Sequence, residues 1–225
     1  MQSQLTALKK DLESMINPEK AAFFPHFFKT GKGQYGEGDQ FLGITVPNQR
    51  IIAKKYKNLS LADIKKLLDS KIHEHRLLAL FILVAQFEKG DEKIRKEIYE
   101  FYLKNKARVN NWDLVDSSAH KIVGPYLEDR NRDILFELAE SEILWDRRMA
   151  MISTFYYIRK NEFEDALRVA EILVNDRHDL IHKAVGWMLR EIGKRDEGVE
   201  IEFLRRHQDM PRTMWRYATE RGITI

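Results

Sequence analysis

Four side chains stand at related spacings and could do chemistry together: Trp112, Asp116, Arg148 and Trp187. An acid among two indoles and a guanidinium is an odd core. Indole faces attract a cationic aromatic ligand by charge–π attraction and stacking. A fixed carboxylate stabilises a developing cation, and a guanidinium forks onto phosphate. Asp113 is a first-turn acid, explained by the helix dipole, so Asp113→Asn is expected to cost about a few tenths of a kcal/mol. Asp116 lies a turn further in, where capping gives no reason for it. Two readings of it stay open: a structural ion pair with Arg148 of a neighbouring repeat, or a catalytic carboxylate. The tryptophans likewise read either as interhelical packing or as a ligand cradle. Arg147, Lys183 and Arg190 add basic candidates for a nucleic-acid backbone.

Other chemistries fail on residue type or spacing. With no cysteine in 225 residues, disulfides, thiolate nucleophiles and cysteine-held metals are all excluded. His73 and His75 are two apart and share no helical face; the remaining histidines form no ligand pattern, so no metal and no cofactor is expected. No GxSxG is present. Gly31-Lys32-Gly33 has neither a following Ser or Thr nor a preceding strand, which rules out a phosphate loop.

The elements that must position these residues are helical throughout. Apolar periodicity predicts helices over 2–16, 18–30, 46–57, 60–69, 73–88, 91–106, 112–127, 131–141, 145–160, 163–175, 179–193, 196–207 and 211–221. Pro18 and Pro211 are placed at first helical positions. Ser60 and Asn110-Asn111 read as N-terminal caps, Gly90 and Gly193 as C-terminal ones. The glycine-rich stretch from Thr30 to Gly43 reads as a surface loop before the helix opened by Pro47. Segments beginning at Arg76, Trp112, Arg148 and Lys183 recur at 36, 36 and 35 residues, each opening a strongly apolar helix. A helix pair with a period of about 36 reads as a HEAT or armadillo-like stack. The expected fold class is all-α: a curved right-handed stack of antiparallel helix pairs, one domain over 1–225. In that register Leu80, Asp116, Ile152 and Trp187 are equivalent, which would gather the candidate residues on one inner surface.

Composition sets the class. Hydrophobic residues make up 44%, ordinary for a globular chain, and charged ones 32%, above the average. No apolar run approaches a membrane span, and the N-terminus is not a signal peptide. The expected location is cytoplasmic, associated with a bacterial or archaeal nucleoid, and the expected state a monomer. The net charge of +3 points to nucleic acid only if the basic residues gather on one face.

Four segments in order resemble the AlkD-like DNA alkylation repair family. Phe41-Leu42-Gly43-Ile44 with Pro47 and Arg50 resembles its opening segment. Asn111-Trp112-Asp113-Leu114-Val115-Asp116 resembles its tryptophan–aspartate motif, and Leu144-Trp145-Asp146-Arg147-Arg148 its arginine helix. Ile181 to Glu191 resembles its lysine–glycine–tryptophan helix. The resemblance implies a HEAT-like DNA glycosylase that excises cationic N3- or N7-alkylpurines from duplex DNA without flipping the base. It implies Asp116 as the catalytic acid, Trp112 and Trp187 as flanking rings, and Arg148 as a DNA contact. Asn111 departs from the best-known members, which carry a second tryptophan there; that bears on substrate range. Some members have little or no glycosylase activity, so a non-catalytic DNA-binding module is an alternative, and a peptide-binding scaffold a further one.

Overall fold

The structure is a computed structural model that describes residues 3–222. It is all-α; among the described residues the one β feature is an isolated parallel bridge between Gln40 and Ile72. The chain divides after Ser118 into two compact units. The first holds α1 (Gln4–Glu13), α2 (Pro18–Phe27), α3 (Val46–Lys55), α4 (Leu61–Leu68), α5 (His73–Lys89) and α6 (Glu92–Lys104). Helix α7 (Trp112–Tyr126) runs through the division. The second unit continues with α8 (Asp133–Ala139), α9 (Leu144–Ser153), α10 (Phe155–Ile158), α11 (Glu164–Leu173), α12 (Asp179–Gly193), α13 (Glu197–Arg206) and α14 (Arg212–Ala218).

In the first unit α5 is the centre. Thirteen of its seventeen residues are buried, so it is covered on nearly every side, by α3, α4 and α6 among others. Its polar start, His73-Glu74-His75-Arg76, is buried too and must be satisfied internally. In the second unit α12 takes that place, packed by α9, α13 and α14. Two glycines allow backbone to approach closely there. An added Cβ on Gly186 would lie 2.4 Å from the Met214 carbonyl oxygen and 2.6 Å from Tyr217 Cβ. One on Gly124 would lie 2.6 Å from both the Ser153 carbonyl oxygen and Tyr156 Cβ. The same device thus recurs in α7 and α12.

The caps follow local chemistry. Asn17, Ser60 and Asp91 each accept the backbone N–H three residues on, at 2.9, 3.2 and 2.9 Å. Three expectations are corrected. The helix expected over 145–160 breaks at Thr154, because Ser153 and Thr154 donate their hydroxyls to the carbonyls of Met149 and Met151, both at 2.7 Å, and loosen the turn. Pro211 is the residue before α14 rather than its first. The stretch from Thr30 to Gly43 is not merely a surface loop: its second half is pinned to the start of α5. The Glu74 carboxylate, 1% exposed, accepts the backbone N–H groups of Leu42, Gly43 and Ile44 at 2.8–3.2 Å. Gly43 is required at that turn, since its φ is +77° and a Cβ would meet the Asn17 carbonyl oxygen at 2.1 Å.

The repeat register also needs correction. The helices start at 73, 112, 144 and 179, intervals of 39, 32 and 35 rather than 36, 36 and 35. Side-chain bonds give the true equivalence. Arg76 donates to the Ser70 carbonyl at 3.1 Å, and Arg147 to the Ser141 carbonyl at 2.9 Å. Ser70 and Ser141 each accept the N–H two residues on at 3.1 Å. His182 meets the Asp176 carbonyl in the same way. Arg76 therefore corresponds to Arg147 and His182, not to Arg148 and Lys183. In that register Leu80 leaves the set while Ile152 and Trp187, 35 apart as Arg147 and His182 are, stay equivalent; Leu80 and Ile152 are fully buried, and Asp116 and Trp187 half-buried.

Candidate active site

Helix α7 opens the site. Its first residue, Trp112, donates its backbone N–H to Asn111 Oδ1 at 2.8 Å. Asn111 is wholly buried and its Nδ2 lies 3.4 Å from Asp39 Oδ2. One turn on, Asp116 is half-buried and lines a cavity of about 400 Å³ in the first unit. Phe24, Phe27, Phe28, Val46 and Leu77 supply the apolar lining, with Trp112 and Asp113 at the α7 side. No lysine or arginine lines it among the described residues. The Trp112 ring stacks on Phe28 with centroids 5.6 Å apart and meets Phe27 edge-on at 5.8 Å. Phe27 and its neighbour Phe23 stay 52% and 60% exposed, a large apolar surface to leave in water.

Beside this cavity runs a buried chain of charges. Arg76 donates to Asp39 Oδ1 at 2.7 Å. His73 Nδ1 lies 3.1 Å from Asp39 Oδ2, and His73 Nε2 lies 2.7 Å from Asp113 Oδ2. The His73 ring packs against those of Phe28 and Phe41, at 4.6 and 5.0 Å, and these two stack on each other at 5.2 Å. Burial by itself would lower the His73 pKa; Asp113 and Asp39 overcome it and raise it to about 9. Burial likewise works against the Asp39 carboxylate, but His73 and Arg76 hold it below the usual range.

Sequence reasoning placed Trp112, Asp116, Arg148 and Trp187 in one site; the cavity of the first unit is lined by the first two. It took Asp113 for a dipole residue only; the bond to His73 corrects that. It missed His73, Asp39, Arg76 and the α2 phenylalanines. The polar run at 73–76, ahead of an unbroken apolar helix, was a signal for the first of these. Asp39 gave none.

The remaining candidates belong to the second unit. Trp187 lies 5.7 Å from Phe155, and its Nε1 donates to Glu191 at 3.3 Å. Lys194 and Arg195 also bind Glu191, and despite its burial they hold it below the usual carboxylate range. Arg148 is 5% exposed and donates to the Leu180 carbonyl. Lys183 pairs with Asp179 at 2.7 Å, and Arg190 pairs with Glu220. Arg147 was expected to contact DNA. Its guanidinium instead holds Asp176 at 2.6 Å and the carbonyls of Ser141 and Glu142 at 2.9 Å, so it is a structural clamp.

Fold and site together define an all-α helical-repeat protein with an acid set at the wall of an aromatic cavity. The chain belongs to the DNA alkylation repair enzyme family, whose model matches residues 8–221. That membership places it in the repair of alkylated DNA and implies DNA binding. No curated protein matches the sequence. Among the solved structures that share the fold are these two. One, described as a predicted DNA alkylation repair enzyme from Enterococcus faecalis, has a TM-score of 0.74 at 17% identity, covering 94% of this chain and 98% of that one. The other, AlkD2 from Streptococcus mutans, has a TM-score of 0.58 at 18% identity, covering 90% and 97%.

Proposed function

We propose that this protein is a DNA N-glycosylase that removes cationic N3- and N7-alkylpurines from duplex DNA. The observation that carries this reading is Asp116, a half-buried carboxylate one turn from Trp112 in an aromatic cavity, in a chain of an alkylation repair family. Alkylation at N3 or N7 places a positive charge on the base, which then leaves without a general acid. The C1′–N9 bond breaks with its electron pair going to the base, which departs neutral. The sugar becomes oxocarbenium-like, and Asp116 stabilises that charge in a site of lowered dielectric. Water then adds at C1′ and gives up a proton. No metal or thiol is needed for these steps. Trp112, Trp187 and Arg148 are assigned to substrate binding, and Lys183 and Arg190 to the DNA backbone.

Asp116→Asn tests the assignment, since it keeps shape and removes charge. Release of N7-methylguanine from methylated duplex DNA should fall by roughly 10²-fold or more, about 2.7 kcal/mol. Binding to undamaged duplex should hold or tighten. Wild-type release rates from a folded Asp116→Asn protein would end the catalytic assignment. Absence of base release by the wild type would leave a DNA-binding module.

A further inference from the structure

We propose that His73 is a positioning residue for the Trp112–Asp116 turn, a doubly bonded cation that holds the start of α7 and the aromatic wall of the cavity in one arrangement. The inference rests on the glycosylase reading of that site and names a residue that acts through others. Its two ring nitrogens face two carboxylates from different segments, Asp39 at 3.1 Å and Asp113 at 2.7 Å. An ionised carboxylate only accepts hydrogen bonds, so both nitrogens must donate, and only imidazolium does that. The ring packs against Phe28 and Phe41, and Phe28 is the ring on which Trp112 stacks.

The charged groups around His73 are Asp39 from the loop, Asp113 from α7 and Arg76 from its own helix. Glu74 is occupied by the amides of Leu42, Gly43 and Ile44. When the ring loses a proton, one carboxylate loses its donor. Asp39 keeps Arg76 at 2.7 Å and Asn111 at 3.4 Å. Among the described residues Asp113 has His73 alone, its other oxygen being buried without a hydrogen-bond partner. The proton that stays is therefore the one on Nε2, and the arm that lets go is that of Asp39, which frees the first turn of α7, and with it Trp112 and the approach of Asp116, from the Asp39–Arg76 anchor. A pKa raised to about 9 keeps the clamp closed at neutral pH.

The test uses the full chain and His73→Gln. In the wild type, ¹⁵N NMR should show two ring N–H groups at pH 7. The Asp39 amide should titrate with the same midpoint as the ring. Single-turnover base release should fall roughly 10- to 100-fold in His73→Gln, with duplex affinity little changed, as expected for a displaced catalytic group. The wild-type rate should decline as pH rises through about 9, and the variant should lack that limb. One ring N–H at pH 7, or a folded His73→Gln with the wild-type rate and pH profile, would overturn the proposal. If His73→Gln does not fold, the two wild-type NMR measurements decide. If the wild type releases no base, the glycosylase reading fails, while the NMR arm still reads whether His73 holds the α7 turn.

Discussion

Asp113 and Asp116 differ by three positions, and their environments give them different work. Asp113 closes a buried chain of charges; Asp116 faces a cavity. Asp113→Asn should consequently cost about 1–3 kcal/mol, well above what a dipole residue is worth, because it leaves His73 with a single carboxylate. Urea denaturation at pH 7 measures it, and a loss under about half a kcal/mol would mean that the His73 bond adds nothing. The sign of the pH dependence follows from the direction of the shift. A histidine whose pKa is higher in the folded state contributes fully below its unfolded value of 6.5. That contribution is lost as pH rises through about 9. Stability should therefore decline between pH 7 and 9.5, and His73→Gln should flatten the decline.

At the scale of elements, the close approach of α14 to α12 sets the tolerances of the second unit. Replacing glycine by alanine inside a helix ordinarily gains about 1 kcal/mol. At Gly186 the new methyl would sit 2.4 Å from the Met214 carbonyl oxygen, a backbone atom that cannot rotate away. Overpacking of this kind costs about 1–3 kcal/mol, so Gly186→Ala should be a net loss, visible as a lowered Tm. A raised Tm would show that α14 shifts freely. Nearby, Glu200 on α13 is fully buried and bound to Arg221 at 2.9 Å. Burial pushes its pKa up to about 7, only partly offset by Arg221. A carboxylate shifted upward stabilises the fold below its unfolded pKa of 4.5, and this is lost as pH rises through about 7. Glu200→Gln should thus remove a decline between pH 4.5 and 7, a window that lies mostly below that of His73.

For the molecule as a whole, recognition of duplex DNA should be dominated by phosphate neutralisation. A net charge of only +3 makes long-range attraction modest, so affinity must come from local contacts that release counterions. Binding should weaken by more than about 10-fold between 50 and 200 mM salt, measured by fluorescence anisotropy on undamaged duplex. Salt-independent binding would point to a peptide scaffold. Lys183→Gln should reduce the slope, while Arg147→Gln should lower stability and leave the slope unchanged, because Arg147 is held by Asp176.

The all-α class, most helix spans and the pairing of Trp112 with Asp116 on one helix were legible in the chain, because they depend on local periodicity and spacing. Helices α12 and α4 match their expected limits within a residue or so. Register was not legible, because unequal loops shift helix starts without changing the apolar pattern, and so Arg148 rather than Arg147 was aligned with Arg76. The charges around His73 were not legible either. Asp39, His73 and Asp113 lie 34 and 40 residues apart on a loop and two helices. No local rule links such positions; they meet because buried charges must find partners once the helices pack around them.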